Sequence, residues 1–550
     1  MTTLTKPPKE RTTKLSSNRK QKSNSTTPQP LENEAEADNL DLIEDEDEDL
    51  SDLETEADLN TESNDFDERE PTQVETVDEA EENDSAIPPE PSTPIRLSCD
   101  QEVFANAMSF LKPNLPRKAI HAILNNVLIY ADRDAQQVTL TVSDMTTTVS
   151  ASFEATIEAG GKITLPAEVL NDVVRMCPKK DTIHLTSEIQ ELISTTSKPL
   201  NATKPQASKK SAKTKTAKQP ETQSESTEAP VIAYIAYIQD DHDGTTEIRG
   251  LDPAEFPEVD RITTKPTSLP AKVVHAGLGS VLFASSTEET KQILTTVQWT
   301  LNHTQSQLHC NATDGHQVAM VKVKTNGIGK KRRSSSSPAD QQTESIIPAR
   351  MLGELSKTLE KVEPDASFKY AYDRKTKRAL FEVEHDGIRK RFITQCFDGG
   401  YPDCSALLEQ YQFRHTVTLD KAELLNRLER LEVLADKKVN GVVIQFHAKE
   451  QHIQLSLEQD FGKGIQTMSA EIPKELDGTE VQFNVKYLTT AVKALMSSAL
   501  RLTLDKPYTP AKIQSAGDVE VPELEMDAVY FLLPQFDKDK LAQIQQEVAA

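Results

Sequence analysis

The chain has 550 residues, with 88 acidic against 62 basic side chains and a net charge of −26. That length is too great for one hydrophobic core and suits about three domains plus disordered segments. Five cysteines (Cys99, Cys177, Cys310, Cys396, Cys404) form no CxxC pair and no His/Cys zinc spacing, which argues against disulfides and for a reducing cytoplasm. No apolar run approaches about eighteen residues and no signal-peptide core opens the chain, so a soluble protein without membrane contact is expected.

Residues 1–95 read as a disordered tail. Its first thirty or so are basic (Lys6, Lys9, Arg11, Lys14), whereas Leu31–Ile95 holds acid runs such as IEDEDEDLSDLETEAD. Neither part carries enough apolar surface to offset the entropy of ordering it. LSCDQEVFANAMSFLK (Leu97–Lys112) then predicts a first helix. Strands follow at Val127–Ile129, over QVTLTVSD and at Val149–Ile157, by period-two alternation. A second helix over ITLPAEVLNDVVRMCPKK, a strand at Ile183–Leu185, a low-complexity insert over 197–230 and a strand near Glu247–Leu251 complete the unit.

The same order recurs twice. LPAKVVHAGLGSVLFAS is a helix, ILTTVQW and QLHCNATDGHQVAMVKV are strands, and IIPARMLGELSKTLEK is a helix preceded by a loop insert over 326–343. Then VTLDKAELLNRLERLEVLA, GVVIQF, HIQLSLEQ, IQTMSAEI, VQFNVKYLTTAVKALMSS, ALRLTLD and AVYFLLP repeat the pattern. Expected bounds are 96–265, 266–412 and 413–537, with a C-terminal extension over 538–550. The fold class is α+β: tandem similar domains, each with two helices packed on antiparallel sheets.

The second helix of each unit carries the functional signal. Aligned on Pro166, Pro348 and Asn484, the copies place Leu170, Leu352 and Leu488 on one apolar face. Nine positions after the alignment point, near the opposite face, stand Arg175, Lys357 and Lys493. Lys179 and Lys361 add a second basic row, which Ser497 breaks in the third copy. Cations at one register in each copy suggest three similar domains presenting positive charge to one partner.

ATDGHQVAMV (Ala312–Val321), FDGGYPDC (Phe397–Cys404), FNVKYLTTAVKAL (Phe483–Leu495) and AVYFLLP (Ala528–Pro534), in this order within a threefold repeat, resemble the sliding clamps of bacterial replication, the β subunit of DNA polymerase III. The resemblance spans about Leu97 to Phe536. It implies the DNA-clamp fold: each chain is half of a homodimeric ring whose helices line a hole for duplex DNA. It implies a non-catalytic processivity factor without cofactor or metal, tethering the polymerase III catalytic subunit, the clamp loader and other proteins that carry a clamp-binding motif. Arg117 and Lys118 join Arg175, Lys179, Lys357, Lys361 and Lys493 as DNA-contact candidates.

The family's partner peptides enter a groove between the second and third domains. The matching positions are Leu294, Thr313, Gly315, His316, Val318, Pro402, Leu407, Phe531, Leu532, Leu533 and Pro534. Ring closure maps to Ile248 in the first domain and to Val433 and Leu434 in the third. The chain departs from the family pattern at Gln317, where arginine is usual, at Ala406, where a basic residue is common, and in its C-terminal extension. In the tail, Asn39-Leu40-Asp41-Leu42-Ile43 is similar to the family's partner peptide, so the tail is a candidate competitor for the groove.

Two other readings compete. One is a clamp-like scaffold or accessory copy that holds peptides without encircling DNA, autoinhibited by its acidic tail. The other is a hydrolase built on Asp314, His316, Cys310 and His309, but no G-x-S-x-G, H-E-x-x-H or phosphate-cradling Gly-rich loop accompanies them.

Overall fold

The computed structural model describes residues 94–192, 231–242, 244–259, 262–325, 342–436, 440–519 and 523–536. The expectations for the tail, including the Asn39–Ile43 peptide, for the insert over 197–230 and for the C-terminal extension lie outside these residues.

One element order is written three times. The first repeat runs β1 (Arg96–Asp100), α1 (Gln101–Leu111), β2 (Asn126–Asp132), β3 (Gln137–Ser143), β4 (Thr147–Glu154), β5 (Thr156–Ala159), β6 (Gly161–Pro166), α2 (Ala167–Met176), β7 (Thr182–Leu192), β8 (Val231–Gln239) and β9 (Thr245–Gly250). The second runs β10 (Thr267–Pro270), α3 (Ala271–Gly279), β11 (Thr296–Asn302), β12 (Gln307–Thr313), β13 (Gln317–Lys324), β14 (Gln342–Pro348), α4 (Ala349–Leu359), β15 (Ser367–Asp373), β16 (Arg378–His385), β17 (Ile388–Gln395) and the short α5 (Cys404–Glu409). The third runs β18 (His415–Asp420), α6 (Lys421–Glu432), β19 (Gly441–His447), β20 (His452–Gln459), β21 (Gly462–Ser469), β22 (Glu480–Asn484), α7 (Val485–Ala494), β23 (Ser497–Leu504), β24 (Ala511–Val519) and β25 (Met526–Leu532).

The first helix of each repeat is shorter than its apolar pattern, because a brief strand precedes it. Leu97–Cys99 pair with β7, and only at Asp100 does the chain turn into helix. The Asp100 carboxylate accepts the N–H of Glu102 at 2.7 Å and that of Val103 at 3.3 Å, capping two of the helix's open donors. Asp420 caps α6 in the same way through the N–H of Glu423, at 2.7 Å. Two further elements differ from expectation. β8 closes the first repeat beside β9, and β14 takes Gln342 and Thr343 from the expected loop insert, pairing the latter with Leu301.

Pro166 and Pro348 join strand to helix directly. Proline at this junction fixes φ near the value the chain needs there, and the helix asks for no donor from it. In the third copy Asn484 holds the place and caps the N–H groups of Lys486 and Tyr487. Leu170, Val174, Leu352, Leu355, Leu488 and Val492 are all buried, so one face of each helix is core, as its spacing predicts. The helices pack in pairs, α1 on α2, α3 on α4 and α6 on α7. Gln101 ties the first pair, its side-chain N–H donating to the Val174 carbonyl at 2.8 Å.

All the sheets are antiparallel, and two of them run from one repeat into the next. β10-β15-β16-β17 continues through β4-β3-β2-β6, joined where β17 pairs with β4. β14-β11-β12-β13 continues through β25-β24-β23-β18, joined where β13 pairs with β25. The outer units keep one sheet each to themselves, β5-β1-β7-β8-β9 and β21-β20-β19-β22, whose edges β9 and β21 stay open. Among the described residues no helix is long and apolar enough to cross a membrane.

Candidate nucleic-acid interface and peptide groove

Arg175, Lys357 and Lys493 occupy the last turns of α2, α4 and α7, and each side chain is exposed on the face opposite the core. The shared register thus brings one cation to the same place on three helices. Two of them have acidic neighbours. Lys357 pairs with Glu354 at 2.8 Å, and Lys493 pairs with Glu429 of α6 at 2.9 Å. These pairs are more than half exposed on the lysine side, where ion pairs hold weakly. Lys179 and Lys361 are exposed too, but they lie in the turns beyond α2 and α4, so the second basic row is not helical. Arg117 and Lys118 are exposed on the connection between α1 and β2.

The positions expected to form the groove lie at the junction of the second and third repeats. Asp314 organises its turn: Oδ1 accepts the N–H of His316 at 2.8 Å and of Gln317 at 2.9 Å, and Oδ2 accepts the Gln317 side chain at 3.0 Å. Gly315 sits at φ +92°, a left-handed conformation that glycine adopts without strain. The Gln317 amide also donates to the Phe283 carbonyl at 3.1 Å, so this departure from the family pattern is a buried tie rather than a surface group. The third repeat answers across the junction. The Leu533 N–H donates to the His316 carbonyl at 2.9 Å, and the Tyr487 ring stacks on His316. Burial, then the neighbouring Asp314 carboxylate, pushes the Tyr487 hydroxyl up to about 12.

Alternation along the β13–β25 ladder decides which side chains face outward. Val318 lies opposite Phe531 and Met320 opposite Val529, on the outer face. There Val318 and Met320 pack with Ile293, Phe397, Ile346, Tyr401 and Cys404. Phe531 meets Phe413, ring centroids 5.5 Å apart. Leu294 is half-buried, Pro402 and His316 are exposed, Leu533 is 43% exposed and Pro534 is half-buried. Leu532 is no wall of the groove: it lies opposite Gln317 on the inner face and is core, at 1% exposure. Thr313 is also spent inside the turn, its hydroxyl donating to the Gln317 carbonyl at 2.7 Å. The side chain of Leu407, on α5, lies outside the described residues. Ile293, Met320, Ile346, Phe397 and Tyr401 belong to this apolar cluster, and sequence reading named none of them as site residues.

The junction of the first and second repeats is built to the same plan, which makes the difference between them informative. Asp144 Oδ1 accepts the N–H of Thr146 at 3.0 Å and of Thr147 at 2.7 Å, and the Gln395 N–H donates to the Thr146 carbonyl at 2.8 Å. On the outer face, however, Thr148 and Ser150 stand where the second junction has Val318 and Met320. Hydroxyls thus replace two apolar side chains of the column, beside an apolar cluster of Ile262, Ala371, Leu380 and Ile393.

For ring closure, Val433 is 84% exposed and Leu434 half-buried, close to β21. Ile248 is instead turned into its own repeat's core, at 4% exposure, because its neighbours Glu247 and Arg249 take the outer face of β9. What β9 offers a partner is its unpaired backbone. Of the residues named for the hydrolase reading, His309 and Cys310 lie on opposite faces of β12. Cys310 is wholly buried and its thiol is pushed far up by burial.

Models of the DNA polymerase III beta subunit match the chain in order: the N-terminal domain over 95–203, the central domain over 268–403 and the C-terminal domain over 411–529. The β sliding clamp of Synechocystis sp. is 30% identical over 437 residues, covering 78% of this chain and 98% of that protein. The chain belongs to the β sliding clamp family. The clamp of Synechococcus elongatus is 27% identical over 434 residues, with the same coverage. In fold, the family member resembles the Bacillus subtilis sliding clamp (TM-score 0.62, 21% identity, 81% of this chain and 100% of that one). It also resembles the Bartonella birtlesii clamp solved with griselimycin bound (TM-score 0.61, 21% identity, 81% and 100%).

Proposed function

We propose that two copies of this chain close head to tail around duplex DNA and tether the replicative polymerase to it. The domains are 96–265, 266–412 and 413–537. The observation that carries this reading is the recurrence of Arg175, Lys357 and Lys493 at one helical register, each free of the core. Sequence-independent retention needs cations near phosphates and no base contacts. Arg117, Lys118, Lys179 and Lys361 extend the basic surface, and the open edges β9 and β21 meet at the junction between copies, beside Val433 and Leu434. The polymerase III catalytic subunit, the clamp loader and other motif-bearing partners enter the groove of Val318, Met320 and Phe531. The protein acts in the cytoplasm and catalyses nothing itself. The test is retention on DNA after loading: a tether by enclosure stays on circular duplex and slides off linear duplex.

The scaffold reading keeps one observation in its favour. Glu354 and Glu429 each hold one of the proposed DNA-facing lysines. Equal retention on circular and linear DNA, with peptide binding intact, would decide for it.

A further inference from the structure

We propose that the β19–β20 hairpin is a binding site for one divalent transition-metal ion of the Zn2+ class, held by His447, Glu450 and His452. The two histidines are direct cross-strand partners at the hairpin's end. Their rings lie face to face, centroids 4.6 Å apart and planes 18° apart. Both Nδ1 atoms face the Glu450 carboxylate, at 3.7 and 3.9 Å. Those separations are too long for hydrogen bonds. The three donor atoms nevertheless lie within 4.8 Å of one another.

Ligand bonds of about 2.0–2.2 Å put neighbouring donors around one Zn2+ roughly 3.3 Å apart. The remaining closure is a rotation about χ2, a broad torsion in histidine. The His447 Nε2 is buried and, among the described residues, has no hydrogen-bond partner that such a rotation would break. The turn, by contrast, is fixed. The Gln451 amide donates to the carbonyls of Ala448, at 2.6 Å, and Ile472, at 3.1 Å, and accepts the Ile472 N–H at 3.0 Å. Lys449, the one cation in the turn, is drawn off to Asp477 at 3.0 Å. Two imidazoles and a carboxylate favour Zn2+, Ni2+ or Cu2+ over Mg2+ or Ca2+. Glu450 is 67% exposed, which leaves the outer positions to water.

The experiment is a calorimetric titration of the full-length protein with Zn2+ near pH 7.5, run beside His452→Asn and Glu450→Gln. One site per chain is expected, weakened at least ~10-fold in either variant, the lower end of what losing even an outer-shell group does. Zn2+ should also raise the melting temperature of the parent protein and leave that of His452→Asn unchanged, while excess Mg2+ leaves the site intact. Equal stoichiometry and affinity in all three proteins, or no such site in the parent, overturns the proposal. A folding defect in His452→Asn is separated by its metal-free melting temperature, and Glu450→Gln, on an exposed turn, supplies the second reading.

Discussion

His316 of the second repeat lies against Tyr487 of the third, ring centroids 6.3 Å apart and planes 26° apart. In the preceding junction Thr146 and Met351, at the equivalent places, line a cleft instead of stacking. The same backbone joint thus carries aromatic packing in the second junction and a cleft in the first.

The turn before each joint differs in strain. Met145 adopts φ +75° where Gly315 adopts φ +92°. A side chain in this region costs about 1–2 kcal/mol. Met145→Gly is expected to raise stability by about 0.5 kcal/mol, after the greater entropy that glycine loses on folding. Gly315→Met should lower it by about 0.5 kcal/mol through the same two backbone effects, since a Cβ there meets nothing within 4 Å. Chemical denaturation of the two variants checks both signs.

The apolar column predicts where peptides bind. Met320→Lys should weaken a fluorescent clamp-binding peptide at least ~10-fold, about 1.4 kcal/mol. Ser150→Lys, at the matching place in the first junction, should leave affinity unchanged. Equal losses in both would remove the groove from the second junction.

The helix cations predict a salt signature. Lys357→Ala and Lys493→Ala should each flatten the dependence of log K on log salt by about 0.9 if each neutralises one phosphate. Glu429→Gln frees Lys493 and should tighten DNA binding at low salt. A slope indifferent to all three would turn these helices away from DNA.

Ring closure is best tested where the fold is not at stake. Val433 is almost fully exposed, so Val433→Asp should keep the parent melting temperature yet sediment as a monomer. Leu434→Lys tests the same contact less cleanly, because Leu434 also packs over Gly464, where an added Cβ would lie 2.7 Å from its side chain.

Glu382, its side chain only 9% exposed, binds Lys369 at 3.1 Å and Arg391 at 2.9 Å. Burial alone would raise its pKa, but the Arg391 charge and the hydrogen bonds from Lys369 and Arg391 outweigh it, leaving the carboxyl below its usual range. A depressed folded pKa gives stability that is whole above the unfolded value, about 4.3, and is lost as pH falls through the folded one. Glu382→Gln should therefore destabilise by about 2 kcal/mol at pH 7, less than a fully buried pair because Lys369 is half exposed. Urea melts at pH 7 and pH 3 should show the difference from the parent protein shrinking in acid.

Much of this architecture was legible because helices write a period into sequence. Leu170, Leu352 and Leu488 mark the core face, and the prolines mark where strand becomes helix. Short strands were not legible. Leu97-Ser98-Cys99 and Val417-Thr418-Leu419 run straight into helices, so they read as first turns until pairing with β7 and β23 shows otherwise. Site residues divide the same way. The register of Lys493 is local and readable, but its partner Glu429 comes from another helix. Whether Phe531 or Leu532 faces the groove depends on which residue of β13 lies opposite, which alternation within one strand leaves open.

The two continuous sheets also bear on mechanics. Seven residue pairs stitch β13 to β25 and six stitch β17 to β4, a main-chain weld at each internal joint. In the ring proposed above, prying the two copies apart to admit DNA should therefore yield at the gap between copies, leaving these internal joints whole.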